Sequence, residues 1–168
     1  MATVVIAEAG VNHNGDLALA KQLVEAAAAA GANAVKFQTF TAADLATAAA
    51  PKATYQTSND GAGSQREMLE RLELSPSEHH ELANHCRQCG IAFLSTAFGL
   101  SELQLLLELG ISAIKVPSGE ITHRPLLEAM ATTAANGQLP VYLSTGMSTL
   151  GEVEAALEIF LKAGLRRD

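Results

Sequence analysis

Residues 91–119 read "IAFLSTAFGLSELQLLLELGISAIKVPSG", and this stretch decides the fold class. It opens with the short apolar run "IAFLSTAF", too short for a helix and rich in strand formers. The segment "LSELQLLLELG" then repeats its leucines at helical spacing, and "AIKVPSG" returns to a strand. Two strands joined through a helix run parallel, because the crossover carries the chain back to its starting end.

The same rhythm extends in both directions. "TVVIAEAG" (3–10) precedes the helix "DLALAKQLVEAAAAAG" (16–31), whose Leu17, Ala20, Leu23 and Val24 share a face. "NAVKFQTF" (33–40) follows, and after a long excursion comes the helix "PSEHHELANHCRQCG" (76–90). Beyond the opening stretch lie the helix "RPLLEAMATTAANG" (124–137), the strand "PVYLSTG" (140–146) and the helix "LGEVEAALEIFLKAG" (150–164). Gly31, Gly90, Gly110, Gly137 and Gly164 each follow a helical stretch, where a left-handed cap residue is wanted. Ser75 to Glu78, with Pro76 at the first helical position, is a capping box, and Thr149 to Glu152 is a second. Strands this rich in Val, Ile, Ala and Phe indicate a parallel sheet covered by helices. The pattern is α/β, with five β-then-α units, and leaves two architectures: a doubly wound open sheet or part of an eightfold barrel.

Residues 41–74 interrupt the rhythm. The spacing predicts an Ala-rich helix around "TAADLATAAA", a polar loop "QTSNDGAGS" and a short helix "QREMLERLEL". Insertions of this length are either functional or tolerated surface elaborations. "AEAGVNHNG" carries glycines after the first strand but not the G-x-G-x-x-G spacing of a dinucleotide site, and no P-loop occurs.

Composition narrows the function classes. Of 168 residues, 48% are hydrophobic and 17% charged, so the chain is globular material. Aromatic residues are only 4%, with no Trp, so Ala, Leu, Val and Ile must build the core. A net charge of -7 disfavours nucleic acid and anionic membrane surfaces as partners, but not a small anion in a local basic pocket. No apolar run approaches the roughly 20 residues of a membrane span, and "MATVVIAEAG" lacks the basic start of a signal peptide. A cytoplasmic protein is expected. Cys86 and Cys89, beside His85 in "HCRQC", are read as two helix thiols in a reducing compartment ahead of a metal or redox pair.

Each strand is apolar at its start and polar at its C-terminal end. Glu8 ends the first, with Asn12 and His13 after it; Lys36 and Gln38 end the second; Ser95 and Thr96 end the third. Lys115, Ser118 and Glu120 end the fourth, and Ser144, Thr145 and Gly146 the fifth. In α/β folds that end binds ligands. Two lysines, serine hydroxyls and the backbone of "SGE" and "STG" suit a phosphate or carboxylate. Either lysine alone could simply reach to solvent; a pair on one edge points to an anion site. A carboxylate such as Glu8 or Glu120 could neutralise a lysine or stabilise a developing cation. His13 stands equally as acid, base, metal ligand or turn residue. His79, His80 and His85 are expected in solvent on an outer helix, and His123 at a helix start or near the site.

The motifs "IAEAGVNHNGD", "AVKFQTF", "SQREMLERLELS", "FLSTAF", "KVPSGE" and "LSTGM" resemble, in order and spacing, the bacterial sialic acid (N-acetylneuraminate) synthase family, with legionaminate synthases as close relatives. The resemblance runs through essentially all 168 residues. It implies the first five βα units of a TIM (β/α)8 barrel, residues 1–168, with strands six to eight and an antifreeze-like domain absent. It implies condensation of phosphoenolpyruvate with an N-acylated mannosamine-type sugar to a nine-carbon 2-keto acid. Carried over position by position, Lys36, Lys115, Ser118 and Ser144 hold phosphoenolpyruvate, while Glu8, Gln38 and Glu120 are the catalytic candidates. The family's manganese is held by two histidines on the seventh and eighth strands, so its ligands are expected to be missing and activity impaired. Partners implied are phosphoenolpyruvate, the amino sugar, and a second copy or a missing half-barrel. Two alternatives stand beside it: a non-catalytic partial barrel that keeps the anion site, and an aldolase-type barrel with Lys36 or Lys115 as a Schiff-base lysine.

Overall fold

The computed structural model describes residues 3–54, 56 and 62–166, and the statements below concern those residues. The element order is β1 (Ile6–Gly10), α1 (Leu17–Ala29), β2 (Ala34–Thr39), α2 (Ala42–Leu45), α3 (Gln65–Glu70), α4 (Pro76–Gln88) and β3 (Ala92–Ala97). It continues with α5 (Leu100–Glu108), β4 (Ile114–Val116), a 3-10 turn (Ser118–Glu120), α6 (Arg124–Gly137), β5 (Val141–Leu143) and α7 (Leu150–Lys162).

All strand pairs are parallel, and the spatial order is β1-β2-β3-β4-β5. This order decides between the two architectures. A doubly wound sheet reverses direction at a switch point and puts helices on both faces. Here every right-handed crossover steps the same way, so the helices share one face, as in a (β/α) barrel.

Alternation along each strand separates the faces. Val35 and Phe37 of β2, Phe93 of β3 and Ile114 and Val116 of β4 join one buried cluster with Val24, Leu82, Leu106, Leu126 and Met130 from the helices. Phe37 and Phe93 stack at 6.0 Å between ring centroids. Burying a side chain of this kind stabilises the fold by about 1.5–3 kcal/mol. The opposite, inner face carries Glu8, Lys36, Gln38, Thr96, Lys115 and Tyr142. Its cover is uneven, where the run of apolar residues implied burial throughout: Leu94 and Thr96 are buried, while Ala92 is exposed and Tyr142 is 38% exposed.

The helix ends follow their sequences closely. The Asp16 carboxylate caps α1 by accepting from the Ala18 and Leu19 amides at 2.7 and 3.2 Å. Capping boxes close the starts of α4 and α7, and a third, Ser64 with Glu67, starts α3. Gly31, Gly90, Gly110 and Gly164 take the left-handed conformation. Gly137 is the last residue of its helix and not its left-handed cap; Gln138 takes that position one residue later. The expected Ala-rich helix shrinks to the four residues of α2, because Ala46 is already extended and buried at its end. A run of alanines offers little side chain with which to anchor a longer helix to the core. The loop "QTSNDGAGS" falls largely on 57–61, outside the described residues.

Candidate active site

Lys36 stands mid-strand in β2, facing away from the helix-side Val35 and Phe37. Its Nζ donates to both Glu8 oxygens, 2.9 Å to Oε1 and 2.6 Å to Oε2. The register places the two residues directly opposite each other. The Lys36 side chain is 12% exposed and that of Glu8 55%, so the cation is the sheltered partner. The end of β1 closes down on this pair. A Cβ on Gly10 would lie 3.2 Å from Glu8 Oε1 and 3.7 Å from Gln38 Nε2. Gly10 therefore sits against the Glu8 carboxylate with Gln38 alongside.

Lys115 lies one row further along. Gln38, Thr96, Lys115 and Tyr142 are successive register partners across β2 to β5. Lys115 Nζ donates to the Val116 carbonyl and to Ser144 Oγ, each at 2.7 Å. The Ser144 amide donates to the same Val116 carbonyl at 3.1 Å, which fixes the serine at the end of β5. Burial lowers the Lys115 pKa; the Lys36 charge lowers it further, and Glu8 partly offsets the two. A second cation close to Lys115 makes this edge more attractive to an anion than one lysine would alone.

Ser118 opens the 3-10 turn after β4, and a Cβ on Gly146 would come within 3.3 Å of its hydroxyl. The "PSG" and "STG" loops thus meet, and a cleft of about 270 Å³ opens beside them. Glu120 is turned aside: its Oε2 lies 2.7 Å from Nδ1 of His123. Glu8, Lys36, Gln38, Lys115 and Ser144 are brought together, Ser118 borders them beside Gly146, and Glu120 pairs instead with His123. The larger groove, about 530 Å³, runs between α6 and α7 among Arg124, Glu128, Glu158 and Lys162, and neither Lys36 nor Lys115 lines it.

Thr96 belongs to this row and was not singled out from its neighbour Ser95 by sequence. Strand alternation separates them: Thr96 partners Lys115, while Ser95 turns to the helix side and bonds Thr39 at 2.7 Å. Of the histidine expectations, the one for His79 needs correction. His79 is not in solvent but buried, its Nε2 3.0 Å from Thr39 Oγ1. Its neighbour His80 is exposed, and His85 meets Glu25 at 3.1 Å. His13 is buried on the helix side beside Phe37, its Nδ1 accepting from the Gly15 amide at 3.0 Å, so it serves the turn and not the inner face. Cys86 and Cys89 are free thiols, and burial pushes Cys86 up to about 12. Among the described residues no three His, Cys, Asp or Glu side chains converge to hold a metal. No helix of the described residues is long and apolar enough to cross a membrane.

Comparison with known proteins places this geometry in a family. The chain is 50% identical over 98% of its length to an N,N'-diacetyllegionaminic acid synthase of Campylobacter jejuni, covering 48% of that protein. It is 48% identical over 94% of its length to the enzyme of the same name from Legionella pneumophila, covering 44% of it. Among solved structures, an N-acetylneuraminic acid synthetase from Leptospira borgpetersenii superposes with a TM-score of 0.77 at 32% identity, over 97% of this chain and 51% of that one. A 3-deoxy-D-arabino-heptulosonate 7-phosphate synthase of Thermotoga maritima shares the fold, with a TM-score of 0.62 at 13% identity, over 96% of this chain and 47% of that one. The chain spans about half the length of the curated relatives it matches. Residues 23–167 match the model described as the NeuB family, and the chain belongs to that family.

Proposed function

We propose that this chain forms the phosphoenolpyruvate half of a synthase that condenses phosphoenolpyruvate with the open-chain aldehyde of an N-acylated amino sugar. The product is a nine-carbon 2-keto sugar acid of the sialic or legionaminic type. The observation that carries the reading is the convergence of Lys36 and Lys115 on one inner edge, with Ser144 on the second lysine and Glu8 on the first. The relatives named as legionaminic acid synthases support the substrate class.

The geometry suits the chemistry. Lys36, Lys115, Ser118 and Ser144 bind the phosphate and carboxylate and neutralise their charge, and Gln38 and Thr96 donate beside them. As C3 of the enolpyruvate attacks the aldehyde carbon, C2 becomes electron-poor. Glu8 stands across Lys36 to stabilise that centre and to take the proton of the water that adds there. Loss of phosphate from the resulting C2 intermediate leaves the ketone. Glu120, paired with His123, faces the incoming sugar. A divalent ion such as manganese, if held elsewhere in the full barrel, would polarise the sugar aldehyde; the roles of Lys36, Lys115, Ser144 and Glu8 do not depend on it. The reading takes residues 1–168 as part of an eight-unit barrel in a cytoplasmic enzyme, its remaining strands pairing with the free edges of β1 and β5. An antifreeze-like domain and a second copy belong to the same proposal.

Titration calorimetry with phosphoenolpyruvate, run beside a manganese-supplemented condensation assay, tests it. Binding with product formation supports the synthase; binding without turnover leaves an anion-binding partial barrel. Absence of binding refutes both. The lowered Lys115 pKa is also what a Schiff-base lysine requires, and borohydride trapping with pyruvate, read by intact mass, tests that second reading. The expected result is no adduct.

A further inference from the structure

Behind the inner site, on the helix side of the sheet, runs a buried chain of polar groups. His79, 2% exposed, stands in the first turns of α4. Its Nδ1 lies 3.0 Å from the Ser75 carbonyl oxygen. A carbonyl only accepts, so Nδ1 carries the proton of the neutral ring. Nε2 is then an acceptor and takes the Thr39 hydroxyl at 3.0 Å. Thr39 Oγ1 in turn accepts from Ser95 Oγ at 2.7 Å. Each proton in the chain has one assigned place.

The chain ends where it matters for the inner face. Thr39 and Ser95 are the immediate neighbours of Gln38 and Thr96, which are register partners on the other side of the sheet. Among the described residues, the only register pair between β3 and β4 is Thr96 with Lys115. The position of Lys115 relative to β2 therefore depends on a short stretch of β3, and His79 pins that stretch from outside.

We propose that His79 is a positioning residue of the anion site: through Thr39 and Ser95 it holds the C-terminal ends of β2 and β3 so that Gln38 and Thr96 stand beside Lys115. The inference rests on the anion-site reading above. It also carries a pH consequence. A doubly protonated His79 makes Nε2 a donor, so Thr39 must reverse and donate to Ser95. The Ser95 hydroxyl, 1% exposed, then loses its acceptor. Burial holds His79 below the ordinary histidine pKa. The charged and titratable groups that act on it are Glu78 and His80 on α4 and His13 from the β1–α1 loop; Thr39 and Ser95 are what β2 and β3 present to it.

The test is calorimetry of the full chain with sulfate and with phosphoenolpyruvate. Sulfate keeps its charge through the range in which histidine titrates, so its affinity reports the protein alone. At neutral pH, T39V and H79L should bind sulfate roughly threefold to tenfold more weakly, the effect of one buried hydrogen bond. H79Q, which keeps an acceptor and does not titrate, should bind within about twofold of the wild type. The wild type should lose sulfate affinity in acid, and H79Q should lack that step. Urea midpoints confirm that each variant is folded, and T39V, nearly isosteric, is the variant that keeps the test usable if H79L is not. Wild-type affinity in T39V and H79L, or an unchanged acid step in H79Q, overturns the positioning role and leaves the anion site standing. If the wild type binds neither anion, the anion-site reading fails and this inference with it.

Discussion

Gly15 and Gly31 offer a controlled comparison, because they share a backbone conformation and differ in surroundings. Gly15 has φ +76 and Gly31 φ +79. An alanine at either must hold a left-handed conformation, at about 1–2 kcal/mol. At Gly31 the new methyl meets nothing within 4 Å, so that cost is the whole effect. At Gly15 the Cβ would lie 2.2 Å from the backbone carbonyl oxygen of Arg71. Backbone cannot swing away as a side chain can. The β1–α1 loop must shift, at about 1–3 kcal/mol for overpacking. That shift also breaks the Gly15 amide to His13 Nδ1 bond, leaving a buried ring nitrogen unpaired. The bond adds about 1 kcal/mol. Gly15→Ala should therefore cost roughly 3–6 kcal/mol, a large part of an ordinary domain's stability. Gly31→Ala should cost about 1–2 kcal/mol. Urea unfolding followed by far-UV circular dichroism measures both. If Gly15→Ala falls within about 1 kcal/mol of Gly31→Ala, the loop is not clamped against Arg71 as described.

Three further outcomes follow from the site and the core. Lys115→Met should weaken phosphoenolpyruvate binding by roughly tenfold to a hundredfold, the effect of losing a charged hydrogen bond, and calorimetry with an unchanged Kd would count against the anion site. Stability should fall in acid, because burial lowers the pKa of both His13 and His79 from 6.5. Unfolded, both rings take protons as pH drops through 6.5 while the native rings stay neutral, so the stability is present in full above that value. It is lost below it by up to about 1.4 kcal/mol per pH unit per histidine, until the native pKa values are reached. Urea midpoints between neutral pH and pH 5 should show this slope, and a flat profile refutes the buried neutral pair. With a thiol reagent, Cys89 should label in the native state and Cys86, pushed up to about 12 by burial, only on unfolding; equal native rates would contradict its burial.

Much of the inner site was legible because strands alternate. Lys36 between Val35 and Phe37, and Lys115 between Ile114 and Val116, had to face away from an apolar core, and both do. What strand alternation could not supply was the partner of each cation, since Glu8 and Ser144 are brought up by neighbouring strands. Glu120, on the 3-10 turn, follows no strand period, and its contact with His123 was not readable. His79 was misjudged for a related reason. Helical spacing tells which residues share a face, but not that a Thr–Ser pair waits on the sheet below to satisfy a buried imidazole.

The sequence by itself determined the α/β class, the parallel direction of the strands, the capping boxes and the polar C-terminal edge. These depend on local propensity and on periods of two and 3.6, which neighbouring residues alone specify. Periodicity alone left an open sheet and a barrel standing; the family resemblance implied the barrel, and the β1-β2-β3-β4-β5 order of the tertiary structure bears it out, because strand order is set by which crossover packs where. Only the tertiary structure joined Lys36 to Glu8 and Lys115 to Ser144, and linked His79 through Thr39 to Ser95. Those pairings join residues 28 to 56 positions apart. No local pattern encodes a distance across a sheet; the register of packed strands does.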